Sequence, residues 1–143
     1  MIKSLAPVRG QDRQGSGAWH ASRDGGKRKH NGVDFAVAKY STVLNGVKGT
    51  VTKIGYPYNP SDKKKGHLRY IEITTDDKIA VRYFYVQPEK TIEVGQTICP
   101  GEKLGACQDL ESIYPGMTNH VHLSVKFADR YMNPLECEDL FII

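Results

Sequence analysis

Long apolar runs are missing from this sequence. No stretch approaches the ~20 residues that a helix needs to cross a bilayer, and residues 1–7, Met-Ile-Lys-Ser-Leu-Ala-Pro, lack the apolar core of a secretion signal. The expectation is a chain without a helical membrane span, acting where it is made or leaving by a route that needs no cleaved leader. Cysteine is scarce as well. Cys99, Cys107 and Cys137 are odd in number and have no metal-ligand spacing. That argues against a disulfide framework and favours a reducing compartment, with room for one bridge at most. Repeats, low-complexity tracts and nucleic-acid-binding motifs are absent, so no nucleic-acid partner is expected. A net charge of +4 favours anionic surfaces such as a cell wall or nucleic acid without selecting either. The Lys63-Lys64-Lys65 run reads most simply as a solvated loop.

Helical periodicity is nearly absent too. What the chain has instead is turns and short alternating segments. Fourteen glycines and seven prolines in 143 residues call for many reversals. Residues 1–29 are polar and rich in Gly, Arg and Lys, and read as an irregular arm packed on the domain with Trp19 as its anchor. From His30 the pattern changes. Val33, Phe35 and Val37 alternate with Asp34 and Ala36, a strand. Residues 42–47 and 50–54 are β-branched, read as a hairpin or as two sequential strands, and 55–66 is a long loop. Residues 68–75 and 79–86 alternate on either side of Asp76-Asp77 and predict an antiparallel hairpin. Short strands follow over 92–98 and 100–105, with a helical turn over 109–114. Asn133-Pro134 opens a short helical segment over 135–140, because proline suits a first helical position. The sum is one all-β domain spanning 1–143, of short antiparallel strands with very little helix. At this length one domain with a real core is expected.

The chemistry concentrates in two segments. In residues 119–126, Asn-His-Val-His-Leu-Ser-Val-Lys, Val121, Leu123 and Val125 alternate with His120, His122 and Ser124. Residues i and i+2 of a strand share a face, so both imidazoles point the same way. Zinc favours His nitrogen and carboxylate oxygen, and a catalytic zinc keeps one position open. His30 and Asp34, in His-Asn-Gly-Val-Asp, are available as further ligands. Taken alone, His-x-His describes two solvated histidines as readily as a metal site. The signal gains weight because three of the five histidines fall in these two segments, while His20 and His67 sit in polar, loop-like sequence. Asn119 is positioned to orient His120, to contact a substrate backbone or, more simply, to shape its loop. Tyr56, Tyr58, Tyr70, Tyr83, Tyr114 and Tyr131 are groove candidates that ordinary packing explains equally well.

Taken in order, His30-x-Gly32-x-Asp34, a β-branched strand, Val94-Gly95-Gln96, Pro100-Gly101-Glu102-Lys103-Leu104-Gly105 and His120-x-His122 resemble the lysostaphin-type, LytM-like zinc endopeptidases over residues 28–136. Residues 83–88, Tyr-Phe-Tyr-Val-Gln-Pro, and 114–122 resemble in particular the branch that contains leukocyte cell-derived chemotaxin-2. The resemblance implies the lysostaphin-type (duplicated hybrid motif-like) antiparallel fold, with a groove floored by the central sheet. It implies Zn2+ held by His30, Asp34 and His122, with His120 as general base. It also implies cleavage of peptide bonds in bacterial peptidoglycan. Size and charge suit a phage lysin or a delivered effector, and a monomer is expected.

One position departs from the pattern. Active members of the family usually carry a histidine, as Tyr-x-His, where this chain reads Tyr83-Phe84-Tyr85. Tyr85 can donate a hydrogen bond to an oxyanion, but a phenol with a pKa near ~10 shuttles protons poorly at neutral pH. The chemotaxin branch has tyrosine here and binds zinc without known peptidase activity. The alternative is therefore a zinc-binding pseudo-peptidase acting as a protein- or glycan-binding module.

Overall fold

The alternating segments become neighbouring strands. The computed structural model describes residues 3–4, 8–23, 28–136 and 141–142. Its strands are β1 (Lys3–Ser4), β2 (Ser22–Arg23), β3 (Arg28–Lys29), β4 (Val33–Ala36), β5 (Thr42–Leu44), β6 (Gly49–Gly55), β7 (Tyr70–Thr74), β8 (Ala80–Phe84), β9 (Val86–Pro88), β10 (Thr97–Ile98), β11 (Lys103–Cys107), β12 (His120–Phe127), β13 (Arg130–Met132) and β14 (Phe141–Ile142). Seven of them form the central sheet in the order β10-β6-β7-β8-β12-β13, with β4 also on β12. A second sheet, β5-β11-β9, covers its inner face. All pairs are antiparallel except β1 with β14, which run parallel and join the two ends of the chain. The all-β expectation holds: among the described residues the only helical element is a 3-10 turn at Pro134–Glu136.

Strand β12 organises the sheet. One edge pairs with β8, from His122↔Phe84 to Lys126↔Ala80. The other edge takes β4, from His120↔Ala36 to Leu123↔Val33, and then β13. This register puts Val33, Phe35, Val121, Leu123 and Val125 on the inner face, none more than 1% exposed. They join Val51, Ile71, Ile73, Val81 and Tyr83 in one core. Each such buried side chain contributes roughly 1.5–3 kcal/mol. The opposite face of the same strands carries Asp34, His120, His122 and Ser124. A one-residue slip would exchange the two sets, so the core fixes the site.

Several expectations change. The predicted strand 79–86 breaks at Tyr85, whose φ of +71° lies in the left-handed region. Its N–H donates to the Arg69 carbonyl and its carbonyl accepts from Gln108 N–H, while the chain crosses to the second sheet as β9. The segments 42–47 and 50–54 are sequential strands in different sheets, not a hairpin. The strand expected over 92–98 shrinks to β10, because the backbone turns at Gly95 (φ +95°). The helix expected over 135–140 is represented by Pro134–Glu136, and 137–140 lie outside the described residues. Cys99 and Cys107 carry free thiols, and Cys137 lies outside the described residues.

Candidate metal centre

Asp34 and His122 are direct cross-strand partners on β4 and β12. Cross-strand neighbours stand close enough for side chains to meet. His30 reaches the same point from just before β4. The close approach depends on Gly32: a Cβ there would collide with the Leu123 carbonyl and the His122 ring. His30 Nε2 and His122 Nδ1 are 2.8 Å apart. Asp34 Oδ1 lies 2.8 Å from His122 Nδ1 and 3.1 Å from His30 Nε2. These three residues form a buried group able to hold a metal ion.

The donor chemistry can be tested on the hydrogen bonds. His30 Nδ1–H donates to the Ala18 carbonyl at 2.9 Å, so the lone pair of a neutral His30 is on Nε2. His122 Nε2–H donates to Asn31 Oδ1 at 3.1 Å, so its lone pair is on Nδ1. Outer partners that fix histidine tautomers in this way are the usual support of a metal ligand. Three electron-rich atoms then face one another within about hydrogen-bond distance. That arrangement requires a cation or a shared proton among them. Two imidazoles and a carboxylate fit zinc, and with three protein ligands among the described residues a fourth position would stay open.

The electrostatics agree. Burial alone would raise the Asp34 carboxyl, but the close approach of His122 and His30 outweighs it and holds the group well below the usual carboxylate range. Burial depresses both His120 and His122 below the ordinary imidazole value, against the opposing pull of Asp34, and this favours neutral rings. His120 stands beside the triangle rather than in it. Its Nδ1–H donates to the Thr118 carbonyl at 2.8 Å, and Nε2 sits 3.4 Å from Asp34 Oδ2 with a lone pair to offer.

These residues open into a cleft of about 670 Å³. Phe84 packs edge-on against His122, with ring centroids 5.2 Å apart. Tyr85 meets His120 edge-on at 5.5 Å. Burial, followed by its pairing with Tyr58, raises the Tyr85 phenol well above its ordinary value, so it stays protonated. Tyr114, also paired with Tyr58, is pushed up to about 12 by burial.

All five residues singled out in the sequence, His30, Asp34, His120, His122 and Tyr85, therefore line one cleft. Of the other tyrosines, Tyr58 and Tyr114 line it too, whereas Tyr83 is a core residue and Tyr56 and Tyr131 are exposed. Asn119 shapes the loop: its side chain accepts from Leu110 N–H and donates to the Val37 and Gln108 carbonyls. Sequence reasoning missed Arg9 and Asp12. Arg9 is 2% exposed and donates to Asp34 Oδ2 at 2.6 Å. Only an arginine and an aspartate three apart in a polar arm, Arg9-Gly-Gln-Asp12, hinted at it.

The sequence pattern of peptidase family M23 matches residues 28–134. Leukocyte cell-derived chemotaxin-2 of Mus musculus is 31% identical over 121 residues, covering 85% of this chain and 74% of that protein. The catalytic domain of the antimicrobial peptidase lysostaphin from Staphylococcus simulans superposes with a TM-score of 0.57 at 19% identity, covering 87% of this chain and 88% of that one. A zinc-containing peptidase from Vibrio cholerae superposes with a TM-score of 0.63 at 21% identity, covering 96% of this chain and 40% of that one. At these identities the two structures speak for the fold.

Proposed function

Because the chain belongs to peptidase family M23, we propose that it is a zinc-dependent endopeptidase that hydrolyses peptide bonds of bacterial peptidoglycan. The observation that carries this reading is the lone-pair triangle of His30 Nε2, Asp34 Oδ1 and His122 Nδ1, open to a cleft and flanked by a base that takes no part in it. Zinc held by these three residues would polarise a scissile carbonyl and make water nucleophilic near neutral pH. His120 accepts the proton of the attacking water on Nε2 and returns it to the departing amine. Its tautomer is already set by Thr118, which spares reorganisation during the reaction. The Tyr85 hydroxyl, kept protonated, donates to the developing oxyanion. Phe84, Tyr114 and Met117 wall the cleft and hold an extended peptide. The resemblance of the sequence motifs to the lysostaphin-type endopeptidases supports a bacterial cell-wall substrate, and such a protein would meet its wall as a phage lysin or a delivered effector, acting as a monomer.

Tyr85 favours a second reading, a zinc-stabilised module that recognises protein or glycan through the same cleft. The likeness to chemotaxin-2 leans the same way. One assay separates the two: purified peptidoglycans of several cross-link types, with and without a chelator, scored for new amino groups. Chelator-sensitive release supports the peptidase. Full zinc occupancy without release on any wall supports the module.

A further inference from the structure

Residues 9–17 of the N-terminal arm lie outside the stretch matched to the family, residues 28–134, yet they reach the centre of the site. Their backbone wraps Asp34 from both sides. Arg9 N–H donates to the Asp34 carbonyl at 2.7 Å, Asp34 N–H donates to the Gly17 carbonyl at 2.9 Å, and Gly17 N–H closes the ring on the Arg9 carbonyl at 3.1 Å. Gly17 is required there, because a Cβ would collide with Arg9 and Asp34. The arm thus delivers a guanidinium whose every nitrogen is used. NH1 donates to Asp34 Oδ2 at 2.6 Å. Nε and NH2 form a fork on Asp12 at 2.8 and 3.1 Å, and NH2 also donates to the Gly15 carbonyl. Asp12 in turn accepts Thr118 N–H at 2.8 Å, and the Thr118 carbonyl holds His120 Nδ1–H.

We propose that Arg9 and Asp12 are positioning residues that tie the metal-binding carboxylate to the general base. Arg9 commits Asp34 Oδ2 and leaves Oδ1 to complete the donor triangle. Asp12 holds the other side of the same guanidinium and pins Thr118 through its N–H, so the residue whose carbonyl holds His120 Nδ1–H and the Asp34 geometry are set by one element. A buried arginine with no such role would be a poor choice, since burying a charge is stabilising only when it is fully paired.

This inference rests on the zinc reading of the site, and the test separates the two. Zinc affinity is measured by competition with a chromophoric chelator on the full chain, for wild type, Arg9→Gln, Arg9→Lys and Asp12→Ala. Each is kept at a temperature where near-ultraviolet circular dichroism shows native packing. Loss of an outer-shell partner costs about 10–100-fold in metal affinity. Arg9→Gln is expected to show that loss, and Arg9→Lys, which keeps the charge without the fork, a smaller one. Asp12→Ala is expected to lose less zinc affinity than Arg9→Gln, and its His120 nitrogen-15 signals should move from a single Nδ1–H tautomer to a mixture. Folded arginine variants that bind zinc as tightly as wild type would overturn the Arg9 role. An unchanged His120 tautomer in Asp12→Ala would overturn the link to the base. A wild type that binds no zinc would overturn the underlying site reading itself.

Discussion

His120 and His122 are two residues apart on one strand and do different things because their nitrogens point differently. His122 turns Nδ1 into the triangle, whereas His120 gives Nδ1 to a backbone carbonyl and keeps Nε2 at its edge. Tyr85→Phe therefore tests the neighbouring hydroxyl by itself: steady-state hydrolysis should fall about 10²–10³-fold in kcat with KM little changed, the usual cost of an oxyanion donor. Unchanged kcat would remove Tyr85 from the reaction. In the module reading the same position gives the opposite experiment, since Tyr85→His should then create hydrolysis that the native protein lacks. That His120 and His122 share a face was legible from a period of two, and His30 and Asp34 were candidates from their place in the sequence, whereas the division into ligands and base came only from the family resemblance. Arg9 was not legible, because a residue in an aperiodic arm declares itself only through its docking on β4.

The elements that carry the site tolerate little change at their closest approach. Gly32 lies under the Leu123 carbonyl and the His122 ring. Gly32→Ala should push β4 from β12 and weaken zinc binding at least tenfold, read by the same chelator competition. Farther along the site face, Glu72 accepts from the Thr52 hydroxyl at 2.7 Å and from Arg82 Nε at 2.6 Å. Burial would raise its carboxyl, yet these partners hold it below its ordinary value of 4.5. A depressed folded pKa means stability that is present above that value and lost as pH falls through the folded one. Glu72→Gln should accordingly lower the urea midpoint at pH 7, and the gap to wild type should close on acidification toward pH 3. The hairpin of β7 and β8 could be read from alternation around Asp76-Asp77. Its end could not, because Tyr83 and Tyr85 keep the period of two while a left-handed turn at Tyr85 sends the chain to another sheet.

At the scale of the molecule, the candidate metal site joins segments far apart in sequence: the arm, the His30 segment and β12. A ligand that binds only the folded state stabilises it by RT ln(1 + [L]/Kd), about 4 kcal/mol at a thousandfold excess over Kd. For a chain of this size that corresponds to a rise in Tm on the order of 10 °C. Thermal scans with zinc and with excess chelator should differ by this amount, and the difference should vanish in His122→Ala. The all-β architecture was visible in the turns and short alternations. The wrapping of the arm on β4 and the parallel pairing of β1 with β14 were not, since both are contacts between segments apart in sequence and carry no local signature.

The most direct test of the account is a paired measurement of zinc content and amino-group release from peptidoglycan, on wild type, His122→Ala and His120→Ala. The account predicts one zinc and chelator-sensitive release in wild type, and neither in His122→Ala. In His120→Ala it predicts one zinc with release reduced about 10²–10⁴-fold, the range for losing a general base. Loss of zinc from His120→Ala, or undiminished release from it, would contradict the division of labour between the two histidines on which the account rests.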